Sequence, residues 1–286
     1  MPFIKRKCPA CGKTKKFRTD VKTCGCGGTN PFAAKRTPAP AAKILILDIE
    51  TMATLAWVWA AFDTNIIDVQ AHGYLLSFAY KWAGDSKVYV SGLDDYPQIF
   101  KKDKDFPQSR NDKALLEDLS YVMNRADIIV AHNGQAFDLK TINARLVANN
   151  LPPLRPFRVF DTLLELRKNA KFISNKLDNV SHELGIGRKM EHEGFPLWLA
   201  CAKGDPAAWK KMKAYNQHDI VLLEELYYRL RPYSKMHPNV NRELGRCRKC
   251  GSSNIKQEGF VYTNFRRKAR EYCFDCHGWQ EDSAKK

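Results

Sequence analysis

The chain alternates between two hydrophobic rhythms. Short unbroken apolar runs, "KILILDIE" and "DIIVAHN", have the length and isoleucine content of strands buried on both faces. "GYLLSFAYKWA" and "SKVYVSGL" read as two further strands, parted by the turn residues "AGDS". Helical spacing takes over in "DKALLEDLSYVMNRA", where Leu115, Leu116, Leu119, Val122 and Met123 share a face. "FDLKTINARLVANN" predicts a helix that stops before Pro152, and "NKLDNVSHELGI" a short one. "DPAAWKKMKAYNQHDIVLLEELYYRL" predicts a long helix with Pro206 near its start. Strands early and helices late, with at least one β–α–β passage, predict an α/β protein on a mixed sheet with flanking helices.

Breaks in the pattern divide the chain. "PFAAKRTPAPAA", residues 31–42, has no periodicity and reads as a linker, and residues 233–245 read as a second. They separate a body at 43–232 from a first module at 1–30 and a last one at 246–282. Of nine cysteines, eight fall in the two end modules. Cys247-x2-Cys250 and Cys273-x2-Cys276 have the paired-knuckle spacing of a zinc ribbon. Cys8-x2-Cys11 followed by Cys24-x-Cys26 departs from the usual second knuckle and is read as a zinc site of altered geometry. Four thiolates close a zinc's coordination sphere, so both sites are expected to be structural. The ninth, Cys201, is expected to be buried and inert.

Charge follows the same division. The chain carries +16, of which residues 1–37 hold +9, residues 242–286 hold +5 and the rest only +2. Basic flanks on a balanced body point to a polyanionic partner, nucleic acid above all. No apolar run reaches membrane-spanning length and no signal-peptide core is present, so a soluble intracellular protein is expected.

Candidate chemistry lies in the body. Asp48 and Glu50, two apart at the end of the first strand, project from one face. Two like charges side by side call for a cation, and hard divalent ions select such oxygens. Asp138 opens a helix after a second buried strand, where the amide dipoles favour a carboxylate, a cap being the plainer alternative. On the long helix, Tyr215 and Asp219 are one turn apart and share a face, whereas His218 points elsewhere. "WVWAAF", residues 57–62, is expected to pack Trp57 and Trp59 in the core beside the first strand, with stacking on unpaired bases the alternative.

"DIET", "HNGQAFDLKTI" and "YNQHD" together resemble, in order and spacing, the three motifs of the DEDD 3′–5′ exonuclease superfamily, which has a ribonuclease H-like fold. The resemblance covers about 43–232, with "VFDTLLELR" and "SNKLDNVSHELGIGRK" in the stretch between the second and third motifs. It divides by a histidine five residues, or a tyrosine four residues, before the last aspartate. Here Ala214 and Tyr215 stand there, which matches the tyrosine subclass and leaves His218 as a surface residue or a contact to neighbouring structure. The resemblance implies Asp48, Glu50, Asp138 and Asp219 as ligands of two magnesium or manganese ions, and Tyr215 as the group that orients the attacking water. It also implies Thr51, Met52 and Asn133 as substrate contacts. The expected activity is removal of nucleotides from single-stranded 3′ ends, DNA slightly ahead of RNA, serving a separate polymerase or helicase. A non-catalytic adaptor gripping nucleic acid through its zinc modules and an endonuclease with the same chemistry are the rival readings.

Overall fold

The computed structural model describes residues 3–7, 14–18, 42–96, 110–241 and 245–281, in two units, residues 1–40 and 41–286. In the first unit β1 (Phe3–Lys7) pairs antiparallel with β2 (Thr14–Arg18). Cys8, Cys11, Cys24 and Cys26, and with them the first expected zinc site, lie outside the described residues.

The second unit is built around β3 (Ile44–Thr51). Between β3 and the next core strand stands a hairpin of β4 (Leu55–Val58) and β5 (Ile66–Ala71). There follow β6 (Leu75–Trp82), β7 (Tyr89–Gly92), α1 (Lys113–Met123), β8 (Ile128–Ala131), α2 (Asp138–Ala148), β9 (Arg158–Asp161) and α3 (Thr162–Asn169). Then come α4 (Leu177–Glu183), α5 (Phe195–Ala202) and α6 (Pro206–Leu230). Five strands form one mixed sheet in the order β7-β6-β3-β8-β9. The β7, β6 and β3 pairings are antiparallel, and β8 and β9 continue parallel to β3. This is the mixed α/β sheet that the hydrophobic pattern predicts.

Side chains alternate across β3. Leu45, Leu47 and Ile49 belong to one core with α1, α2 and the first half of α6. Ile46 belongs to a second core with Phe160, Leu166, Val180 and the second half of α6. Pro206 opens α6 behind Asp205, whose carboxylate accepts from the amides of Ala207 (2.8 Å) and Ala208 (3.3 Å). Cys201 is fully buried, and burial pushes its thiol up to about 12, out of reach of thiolate chemistry at neutral pH.

One expectation fails. Trp57 is 63% and Trp59 87% exposed, so neither packs in the core. Among the described residues the β4–β5 hairpin pairs only with itself, outside the five-stranded sheet, and most of its side chains are exposed.

A third sheet, β10 (Ile255–Tyr262), β11 (Arg267–Cys273) and β12 (Trp279–Glu281), is antiparallel throughout. It is bonded to the segment that follows α6. Val240 N donates to Arg248 O (2.8 Å), Asn241 Nδ2 to Cys247 O (2.6 Å) and Lys249 Nζ to Pro232 O (2.5 Å).

Asp112 ties the start of α1 to its neighbours. Fully buried, it accepts from Arg145 Nε and Nη2 (2.8 Å each), Asn149 Nδ2 (2.9 Å) and Leu75 N (2.9 Å). Asp112→Ala would strand the Arg145 guanidinium. Because that group is partly open to solvent, the loss should fall near the low end for a broken buried pair, about 3 kcal/mol. The urea midpoint measures it, and an unchanged midpoint would show that the pair is dispensable.

Candidate active site

The carboxylates converge where β3 runs past its pairing with β8 while still bonded to β6. Asp48 and Glu50 lie on the Ile46 side of the strand, and α6 brings Asp219 across that face. One oxygen from each of the three lies within 4.8 Å of the others. Asp138, the first residue of α2, adjoins this trio without belonging to it. The backbone amides of Ile49 and of Asp138 itself favour its ionised form, against the desolvation that opposes it. The tight turn between β8 and α2 sets that position. A Cβ at Gly134 would stand 2.4 Å from that of Ala131, so only glycine fits there.

Such crowding holds protons. Desolvation raises Asp48 well above the ordinary carboxylate range, and the charges of Asp138, Glu50 and Asp219 add to it. Desolvation likewise lifts Glu50 to about 7, opposed by Lys189, and Asp138 to about 6. Asp219 is raised by burial against the pull of Lys189, and its Oδ1 is buried with no hydrogen-bond partner. Three clustered carboxylates, one with an orphaned oxygen, fit a hard divalent cation.

Two residues overlooked in the sequence complete the surroundings. Lys189 Nζ donates to Asp219 Oδ2 (2.6 Å) and to Tyr215 Oη (2.9 Å). Asn216 Nδ2 donates to Asp48 Oδ2 (2.8 Å), while its Oδ1 accepts from the buried Ser77 hydroxyl (3.1 Å). Lys189 sits in an irregular stretch with no period to flag it. Asn216 carried a signal, being a polar residue one turn before Asp219 on the buried face of α6.

Tyr215 is wedged between His192 (ring centroids 4.9 Å) and Trp198 (6.2 Å), both edge-on. Burial, then the Asp219 charge, push its phenol above its ordinary value, so it stays protonated and acts as a hydrogen-bonding group. His218 faces away and its Nε2 donates to Arg188 O (2.7 Å). Asp178 accepts from Lys189 N (2.8 Å) on the other side of that segment, so the two together stake out the lysine.

The expected substrate contacts differ in setting. Thr51 and Met52 follow an irregularity in the β3–β6 register, and Met52 N donates to Tyr74 O (2.9 Å). Asn133 adopts a left-handed φ of 65°. Its amide and that of Gln135 donate to the Asp161 carboxylate (3.0 Å each), which also caps α3. Asn133, Arg167, Lys176 and Lys189 line one cleft of about 630 Å³.

Apart from this site, Cys247, Cys250, Cys273 and Cys276 place all four sulfurs within 4.8 Å. The Cys247–Cys276 and Cys250–Cys273 separations are 3.6 Å. A tetrahedron of zinc–sulfur bonds has edges of about 3.8 Å, so the cluster fits a zinc-binding module.

A five-stranded mixed sheet with two carboxylates on its central strand and two more on flanking helices agrees with a ribonuclease H-like fold. The chain belongs to the RNase_H superfamily, whose family model matches residues 83–231. That stretch carries Asp138, Tyr215 and Asp219, while Asp48 and Glu50 precede it. Among solved structures, the chain is similar to the family B DNA polymerase from the hyperthermophilic archaeon Pyrobaculum calidifontis. Identity is 16% and the TM-score 0.46, over 68% of this chain and 25% of the polymerase. The chain thus spans about a quarter of that polymerase's length. No curated protein matches it. None of the described helices is long and apolar enough to cross a membrane.

The raised carboxylates set a pH dependence. Glu50 near 7 and Asp138 near 6 bind protons in the folded protein that the unfolded chain has released. The stability they contribute is therefore present at low pH and lost as pH rises through about 7. A divalent cation bound there would take the place of those protons. The rise in Tm on adding magnesium or manganese should be larger at about pH 8 than at about pH 5, and absent in Asp48→Asn/Asp219→Asn. A shift equal at both pH values, or retained by the double variant, would contradict the assignment.

Proposed function

We propose that the protein is a divalent-cation-dependent 3′–5′ exonuclease of the tyrosine subclass, acting on single-stranded nucleic acid. RNase_H superfamily membership and the carboxylate cluster support a nuclease. The finer reading rests on one observation: Tyr215 and Asp219, one turn apart on α6, share the Lys189 ammonium beside Asp48 and Glu50.

Asp48, Glu50, Asp138 and Asp219 would hold the cations. Bound there, two such ions supply Lewis-acid charge to the phosphate and acidify the attacking water. The residues of the chain do the rest. Tyr215, protonated and fixed by its aromatic neighbours, offers a hydrogen bond that orients the water. Asn216 fixes the Asp48 carboxylate. Lys189 supplies positive charge where the scissile phosphate must approach four acidic groups. The cleft bearing Asn133, Arg167 and Lys176 is wide and basic enough to guide a strand toward them. Thr51 and Met52, just past Glu50, would meet the terminal nucleotide. The four-cysteine sheet is read as a zinc ribbon on a separate C-terminal module at 246–282. DNA is favoured slightly over RNA, with a polymerase or helicase supplying the ends.

Magnesium-dependent digestion of 3′- and 5′-labelled single strands of both sugars tests the reading. Nucleotides should be lost stepwise from the 3′ end, and Asp48→Ala or Asp138→Ala should abolish the loss. Tyr215→Phe keeps the ring packing and should slow single-turnover cleavage by about 10²–10⁴-fold. His218→Ala gives up one hydrogen bond to a backbone carbonyl and should cost less than about tenfold. Internal cuts would indicate an endonuclease, binding without cutting an adaptor, and full activity in either aspartate variant would refute the site.

A further inference from the structure

The β10–β11 hairpin carries two features that the hydrolytic site does not use. Its end is aromatic and open: Tyr262 is 73% and Phe265 93% exposed. It is also cationic, for residues 260–270, "FVYTNFRRKAR", hold Arg266, Arg267, Lys268 and Arg270 and no acid. Facing pairs in an antiparallel ladder share a side of the sheet. Tyr262 lies opposite Arg267 and Phe260 opposite Ala269, so Phe260, Tyr262 and Arg267 present one surface. The Arg267 guanidinium lies 4.2 Å over the Phe260 ring. Val261 and Lys268 occupy the other side.

The cations divide in the same way. Lys268 is neutralised by Glu281 at 2.6 Å. Arg270 lies 4.4 Å over Trp279 and donates to Glu258 O (3.0 Å). Arg266 and Arg267 form no ion pair among the described residues. The turn between the strands is closed by Thr263, whose amide donates to Arg266 O (2.8 Å) and whose hydroxyl accepts from Arg266 N (3.0 Å). The backbone that carries the exposed rings and the two arginines is thus fixed by its own turn.

We propose that this hairpin end is a binding platform for single-stranded nucleic acid, in which Tyr262 and Phe265 stack on bases while Arg266 and Arg267 meet phosphates. Aromatic faces beside unpaired arginines match the open base faces and the phosphates of an unpaired strand, whereas a duplex displays its phosphates but hides its base faces. The contrast within the molecule is instructive. The β4–β5 hairpin exposes Trp57, Trp59 and Phe62, yet residues 52–80 contain no lysine or arginine and two aspartates, so it lacks the means to hold a phosphate chain.

The proposal shares with the nuclease reading only its class of partner, and the two fail separately when binding is measured with hydrolysis blocked. In full-length protein carrying Asp48→Asn, anisotropy of labelled oligothymidylate and oligouridylate gives the affinity. Tyr262→Ala/Phe265→Ala should weaken single-strand binding by about 10- to 100-fold. Arg266→Gln/Arg267→Gln should flatten the slope of log affinity against log salt by about 0.7 per arginine. Zinc content and Tm establish that each variant is folded, and quenching of a 2-aminopurine base reports stacking. Unchanged affinity in a folded, zinc-loaded aromatic variant would overturn the proposal. So would duplex bound as tightly as single strand with the same loss in both, or arginine substitutions that leave the salt slope as it was.

Discussion

Carboxylates placed within 4.8 Å of one another repel, and the rest of the second unit is arranged to hold them there. The means is the apolar run before Asp48. Leu45, Ile46 and Leu47 are fully buried, on alternate sides, so β3 cannot slide or rotate to relieve the strain. On the opposing element, Ile220 and Leu223 fix α6 just past Asp219. Hydrophobic burial thus supports an electrostatic arrangement that would not persist on a solvated loop. Lys189 and protons relieve part of the repulsion, and the pocket is suited to a cation for the remainder.

What the chain sequence reveals about this arrangement follows from how local each feature is. "ILIL" and "DIIV" are legible as buried strands because burial on both faces leaves no room for polar residues. The long helix is legible because Asp205, Pro206 and 3.6-residue spacing agree over 25 residues. The four carboxylates are recognisable only as an ordered set, since each alone reads as surface or cap. Lys189 escapes because its position depends on Asp178 and His218, whose contacts cross the fold rather than follow the chain. The β9 strand, four residues at "RVFD", is too short to show a period.

The tryptophan pair shows the opposite failure. "WVWAAF" reads as core because large apolar side chains are usually buried, but burial needs a second surface. In a two-stranded hairpin set apart from the main sheet, most side chains stay exposed. His218 is the reverse case: a histidine beside a candidate ligand invites a catalytic reading, yet its ring serves a backbone carbonyl. Side-chain chemistry nominates residues, and only geometry distinguishes among them.

The hydrogen bond between Asn216 and Asp48 joins residues 168 positions apart. A chain emerging from the ribosome therefore makes Asp48 and Glu50 long before α6 exists to meet them. Until that helix has been synthesised and packed, the acidic residues remain scattered along an incomplete sheet. A growing polypeptide would thus carry Asp48 and Glu50 without the partners that gather them into a cluster. Spreading the carboxylate cluster across distant parts of the chain delays its assembly until translation has passed Asp219.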